Sequence, residues 1–68
     1  MWHKYPNEIP PNIPKEESFG VVYEVKYQLP NGDIKTDITE WLWDKTWNYI
    51  YPVIAWRQYK PILNLSKV

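Results

Sequence analysis

The chain has no cysteine, only two glycines and a single histidine among its 68 residues. Without cysteine, it has neither a disulfide framework nor a thiolate metal site. Its 8 basic and 8 acidic residues cancel at pH 7, which argues against a broad electrostatic surface for nucleic acid or anionic lipid. No apolar run approaches the roughly 18 residues of a membrane-spanning helix, so we expect no membrane partner.

Aromatic residues and proline are abundant instead. Five tryptophans, six tyrosines and one phenylalanine make up 18% of the chain, and there are seven prolines. A chain of 8.3 kDa has room for one domain with a small core. Large rings fill such a core economically, so many of them should serve packing.

The clearest structural signal lies in residues 20–38. Apolar side chains alternate with polar ones from Val21 to Leu29 and again from Ile34 to Ile38, a period of two that predicts two strands with one buried face each. The sequence Pro-Asn-Gly-Asp at 30–33 predicts the turn between them, as either a two-residue type I′ loop or a four-residue loop.

The alternation also predicts a register for this hairpin. Pairing Leu29 with Ile34 buries the apolar side chains of both strands on one face. It places Tyr27 opposite Thr36 and Val25 opposite Ile38 on the inner face, and Lys26 opposite Asp37 on the outer face. The last pair has complementary charges, which favours this register.

Residues 39–52 fit two structures. Aromatic residues at alternate positions favour an extension of the second strand through residues 41–43, followed by a turn at 44–46. Thr39 as a helix cap, and the four-residue spacing of Trp43 and Trp47, would instead fit a short helix over residues 39–46. Residues 53–60 predict a further strand, in which Trp56 is buried.

The fold class predicted is mainly β: a small antiparallel sheet of three to four strands, with one short helix (α+β) as the alternative. Four prolines within residues 1–18 argue against helix there and predict an extended strap across the sheet, anchored by Trp2. The predicted single domain therefore comprises the strap (1–18), the sheet (19–61) and a tail (62–68).

The order of aromatic and proline positions resembles a family of very small phage and prophage proteins of unknown function. The residues that carry the resemblance are Trp2, Ile9-Pro10, Val53-Ile54-Ala55-Trp56 and Tyr59-Lys60-Pro61. The chain departs from the family at Arg57-Gln58, where a hydrophobic residue and proline are usual. The resemblance implies a phage or prophage accessory protein with a small β-rich fold. Since no signal-peptide segment follows Met1, we expect the bacterial host's cytoplasm.

Catalytic chemistry is poorly represented in the sequence. His3 lies at the end of the chain, Ser18 and Ser66 have no partner at a diagnostic spacing, and no glycine-rich phosphate loop is present. The acidic residues Asp33, Asp37, Glu40 and Asp44 are better explained by turns and strand pairing than by a cation site. We therefore predict a protein that is not an enzyme and uses no cofactor or metal.

The aromatic residues that the core does not need are the best candidates for function, because tryptophan, tyrosine and arginine dominate binding hot spots. The predicted binding set is Trp41, Trp43, Trp47, Tyr49, Tyr51, Arg57 and Tyr59. The first hypothesis is binding of a host or phage protein, such as inhibition of a host defence or host machinery protein, accompanied by self-association. The alternative is single-stranded nucleic-acid or small-ligand binding by aromatic stacking, against which the balanced charge argues.

Overall fold

The computed structural model describes residues 1–15 and 20–60, which contain one antiparallel sheet. Its strands are β1 (His3–Lys4), β2 (Val21–Gln28), β3 (Ile34–Trp41) and β4 (Val53–Gln58), in the spatial order β1-β4-β2-β3. No helix occurs in the described residues. The prediction of a mainly β fold is confirmed, and the short helix considered for residues 39–46 is wrong.

Strand β1 was not predicted. His3 pairs with Trp56 and Lys4 with Ala55, so the start of the predicted strap is an edge strand of the sheet. His3 therefore does not lie at a free chain end: its ring packs on Trp56 with 4.4 Å between centroids. Two residues are too few to show a periodicity. They form a strand because their backbone pairs with the edge of β4. The predicted tail 62–68 and the end of the strap lie outside the described residues.

The β2–β3 hairpin forms where predicted, but its register differs by one residue. The Leu29 N–H donates to the Asp33 carbonyl, and the Gly32 N–H donates to the Leu29 carbonyl, both at 2.8 Å. The loop therefore comprises residues 30–32, a tight turn closed by Gly32 at a φ of 94°. Neither the two-residue nor the four-residue loop expected from the sequence forms, because Leu29 pairs with Asp33 rather than with Ile34.

In the observed register, each side chain of β3 points to the face opposite to the one predicted. Tyr27 lies opposite Lys35, Val25 opposite Asp37 and Lys26 opposite Thr36, so the predicted charge pair between Lys26 and Asp37 does not form. A shift of one residue moves every side chain of a strand to the other face. Ile34 and Ile38, predicted to be buried, are consequently 54% and 45% exposed.

The sheet buries one face, which we call the core face. Its centre is a cluster of buried side chains from every part of the described chain, namely Ile13, Tyr23, Val25, Trp41, Val53 and Trp56. Tyr5, Trp47 and Tyr49 pack against this cluster from outside the main strands. The predicted burial of Trp56 is confirmed, since its side chain is only 7% exposed.

The N-terminal segment covers part of the core face, as the strap prediction expected. Pro10 and Ile13 are buried, and the Trp56 Nε1–H donates to the Glu8 carbonyl at 2.8 Å. Trp2, however, is not the anchor on this side. It precedes His3, which faces the core with its partner Trp56, and successive side chains of a strand point to opposite faces. Trp2 therefore lies on the other face of the sheet, which we call the open face.

Residues 42–52 cover the rest of the core face. The second strand extends to Trp41 as predicted, but stops before Trp43. A turn follows, in which the Lys45 N–H donates to the Leu42 carbonyl and Lys45 has a φ of 65°. Trp47 then returns to form an antiparallel bridge with Trp41.

Candidate functional site

The predicted binding set does not form one surface in the folded protein. Trp41 is 1% exposed and is the largest fully buried side chain, so we leave it out of any contact surface. Trp47 is half-buried, with its ring 4.8 Å from that of Trp41 and 5.9 Å from that of Tyr5. Both tryptophans pack in or against the core at the end of β3. The alternation of aromatic residues in the sequence does not distinguish a tryptophan that packs in the core from one that binds a partner.

Tyr49 and Tyr51 form a tyrosine cluster with Tyr27 of β2. The ring of Tyr27 stacks on Tyr51 at 5.6 Å and lies 4.9 Å from Tyr49. The Tyr49 hydroxyl donates to Asp37 Oδ2 at 2.5 Å, tying residues 42–52 to strand β3. This bond, with a second one from the Ile38 N–H, holds the pKa of Asp37 below its ordinary value. Burial and the same carboxylate raise the pKa of Tyr49 far above its ordinary value.

Trp43 is the member of the set that solvent reaches most freely on this side. Its side chain is 47% exposed on the turn after β3, with the Lys15 ammonium 5.5 Å from the ring centroid. Ile50, in the same covering segment, is 83% exposed. Individually exposed apolar side chains such as these are ordinary on a protein surface.

Arg57 and Tyr59 lie elsewhere. Arg57 pairs with Glu24 across β4 and β2, and both side chains are on the open face because their neighbours Trp56 and Val25 face the core. The Arg57 Nε–H donates to Glu24 Oε1 at 2.8 Å. Tyr59 follows β4 and lines a shallow groove together with Val22.

Trp2 occupies the middle of a cationic cluster on the open face. The guanidinium carbon of Arg57 is 4.2 Å from the Trp2 ring centroid, and the Lys26 ammonium is 4.8 Å from it. Each cation is attracted by the negative potential above the indole ring. Sequence reasoning missed this role of Trp2, and the signal would have been a strand at residues 3–4 that places Trp2 beside Arg57.

Aliphatic side chains lie next to this cluster. Val22 of β2 and Ile38 of β3 are about 40% and 45% exposed, and they flank the Glu24–Arg57 pair on the open face. Ile34 continues the row along β3. The side chains of residues 5–15 and 42–52 that pack on the buried cluster, namely Tyr5, Ile13, Trp47 and Tyr49, lie on the core face instead. The open face therefore combines exposed apolar area, an arginine–tryptophan contact and the half-buried Lys26.

Two further findings concern the described residues only. They contain no group of three or more histidine, aspartate or glutamate side chains placed to hold a metal ion. Residues 1–15 and 20–60 also include no helix with the length and apolarity that a membrane crossing requires.

Comparison with known proteins gives no relative on which to base a function. No protein-family model matches the sequence, and no curated protein or solved structure matches it either. The resemblance to small phage proteins stays a prediction, since nothing in these comparisons bears on it.

Proposed function

We propose that this chain is a protein-binding module that acts by contact rather than by catalysis, and that its contact surface is the open face. The observation that supports this most directly is the asymmetry of the sheet. One face is covered by residues 5–15 and 42–52, whereas the other presents Val22, Ile38 and the Trp2–Arg57 contact to solvent. Clusters of exposed apolar side chains with tryptophan and arginine are typical of interface hot spots.

The charges of the open face indicate the chemistry of the partner. Lys4 lies on the open face as well, because it follows the core-facing His3. Glu24 already neutralises Arg57, whereas neither ion pair among the described residues involves Lys4 or Lys26. A partner that offers carboxylates to these lysines and an apolar patch to Val22 would satisfy the whole face. We therefore propose a partner protein whose contact surface is apolar at its centre and acidic at its rim.

The biological setting of this proposal comes from the resemblance alone. Small phage and prophage accessory proteins act inside a bacterial host, so we propose that the partner is a host protein. Occupying a contact surface of that protein would inhibit it, which is how a small protein without catalytic groups can oppose a host defence or redirect host machinery.

Binding of single-stranded nucleic acid is the second candidate, and one observation favours it. Lys26 and Arg57 flank an aromatic ring on one face, as in surfaces that combine phosphate contacts with base stacking. Two features oppose it. Glu24 cancels the charge of Arg57, and the two cations beside the Trp2 ring would have to move before a base could stack there.

The experiment compares two open-face variants with a matched control. Val22→Asp places a charge in the apolar part of the face, and Trp2→Ala removes the ring between the two cations. Ile50→Asp makes the same kind of change as Val22→Asp on the opposite side of the sheet, at a residue that is 83% exposed. Proteins that wild type retains from a bacterial lysate are identified, purified and titrated against all four chains by calorimetry.

We expect each open-face variant to weaken binding at least about tenfold, as removal of a hot-spot contact does, and Ile50→Asp to leave affinity unchanged. The proposal fails if Ile50→Asp abolishes binding while both open-face variants bind like wild type. A parallel titration with a single-stranded oligonucleotide at several salt concentrations tests the second candidate. A salt-dependent affinity that Trp2→Ala removes would replace the protein-binding proposal.

A further inference from the structure

Strand β3 forms one edge of the sheet, and within residues 1–15 and 20–60 only the end of this edge is paired. The Asn48 N–H donates to the Glu40 carbonyl at 2.9 Å, and the Leu42 N–H donates to the Thr46 carbonyl at the same distance. Residues 46–48 thus pair with the end of β3 on the side away from β2. In the described chain, no backbone group pairs with residues 34–38 on that side.

The bond from Asn48 also shows which residues of β3 face this open edge. In an antiparallel strand, both backbone groups of every second residue point to the same side. Since the Glu40 carbonyl points away from β2, the backbone groups of Ile38, Thr36 and Ile34 point away as well. Consistent with this, the Ile38 N–H donates to its neighbour Asp37 Oδ1 at 2.7 Å instead of to β2.

The sequence along the open edge is complementary to itself. Residues 34–38 read Ile-Lys-Thr-Asp-Ile. If a second copy lies antiparallel with Thr36 opposite Thr36, each Ile34 meets an Ile38, and each Lys35 meets an Asp37. Apolar side chains meet apolar ones on the open face, and opposite charges meet on the core face. We propose that two copies of this chain pair in this register along β3.

The backbone geometry fits the same register. Thr36 would exchange N–H and carbonyl with Thr36 of the second copy, and Ile34 would do so with Ile38. These are the residues whose backbone groups face the edge, so the pairing satisfies them without breaking a bond to β2. The Ile38 N–H would leave Asp37 Oδ1. The Lys35 ammonium of the second copy would then donate to the Asp37 carboxylate.

A two-fold axis through Thr36 stands perpendicular to the sheet, which keeps both open faces on the same side. The dimer would therefore join the two open faces into one surface, with isoleucines of both copies at the junction. The other edge of the sheet is β1, with only two residues, which gives little template for a further chain. The pairing therefore closes as a dimer rather than continuing into a fibre.

The first test measures the mass of the protein in solution by sedimentation equilibrium over a concentration series. We expect wild type to approach twice the chain mass of 8.3 kDa as concentration rises. Thr36→Pro removes an N–H that faces the edge and makes no bond to β2, and its ring blocks the second copy. It should weaken the dimer at least about tenfold, whereas the matched control Thr36→Val keeps the N–H and should dimerise like wild type.

The second test reverses charges. In a dimer of Lys35→Glu, the new glutamate at position 35 of each copy lies opposite Asp37 of the other. In a dimer of Asp37→Lys, the new lysine at position 37 of each copy lies opposite Lys35 of the other. Each variant should dimerise about tenfold more weakly, because two favourable cross-strand pairs become unfavourable. An equimolar mixture of the two variants restores opposite charges in every pair and should recover a heterodimer.

The proposal is overturned if wild type stays monomeric up to about 1 mM. It is equally overturned if wild type dimerises but Thr36→Pro and Lys35→Glu do so with unchanged affinity. Near-UV circular dichroism reports whether each variant retains its packed tryptophans. Lys35→Glu keeps the Tyr49–Asp37 bond, so it remains a valid test even if Asp37→Lys does not fold.

Discussion

Replacing Trp56 by alanine is expected to unfold the protein. Trp56 is 7% exposed and joins three parts of the fold. Its ring lies 5.1 Å from that of Tyr23 on β2 and 4.4 Å from that of His3 on β1. Its indole N–H also donates a hydrogen bond to the Glu8 carbonyl at 2.8 Å, which connects β4 to the N-terminal segment.

The expected magnitude follows from this burial. Truncating a buried tryptophan to alanine costs about 3–5 kcal/mol. At about 0.05–0.15 kcal/mol per residue, the free energy of unfolding of a 68-residue domain is roughly 3–10 kcal/mol. Trp56→Ala should therefore remove most or all of it. Trp56→Phe keeps a ring in the core but leaves the Glu8 carbonyl without its donor, so it should cost about 1–3 kcal/mol and stay folded.

Urea unfolding followed by far-UV circular dichroism measures both variants against a matched control. Trp43→Ala makes the same chemical change at a tryptophan that is 47% exposed, and should cost less than about 1 kcal/mol. The reasoning is refuted if Trp56→Ala is as stable as Trp43→Ala, since the core would then not depend on Trp56. It is weakened in a different way if Trp56→Phe costs as much as Trp56→Ala, because the hydrogen bond would then outweigh the packing.

Two further predictions concern stability. Gly20→Ala should destabilise the protein by about 1–3 kcal/mol in the same urea assay, because the added Cβ would lie 2.7 Å from the Trp41 carbonyl oxygen. The Tyr49–Asp37 bond should make stability depend on pH at both ends of the range. The lowered pKa of Asp37 gives a contribution that is present above its ordinary value of 3.8 and is lost as pH falls through the folded-state value. The raised pKa of Tyr49 gives a second stabilising contribution, which is fully present below pH 10.0 and is lost as pH rises above that value. Tyr49→Phe should therefore make the urea midpoint less dependent on pH in both the acidic and the alkaline region.

The strands that carry the sheet could be predicted because their side chains alternate. Residues 21–29 show the period of two clearly, and the buried position of Trp56 follows from its apolar neighbours. Strand β1 could not be found in this way, because two residues cannot show a period. Its pairing with β4 is a tertiary interaction, and that pairing is what places Trp2 on the open face next to Arg57.

The assignment of faces along β3 failed for a different reason. Ile34 and Ile38 occupy even positions and Trp41 an odd one, so alternation allows only one of the two groups to face the core. The structure buries Trp41, which residues 46–48 can cover, and leaves the isoleucines exposed. The length of the loop before β3 determines which of these residues face the core. Because the turn sequence is compatible with more than one loop length, the sequence alone could not show that the loop has three residues.

The register of the β2–β3 hairpin can be tested directly by NMR. Glu24 lies opposite Ile38 and Lys26 opposite Thr36, and both are pairs without mutual hydrogen bonds, whose Cα atoms approach to about 4.5 Å. Strong Hα–Hα cross-peaks are therefore expected within each pair. The register that buries Ile38 would instead set it opposite Val25, and a cross-peak between those two residues would contradict the structure. In that case Ile38 would belong to the core, the open face would lose its apolar part, and the edge at Thr36 could no longer pair with a second copy in the way proposed.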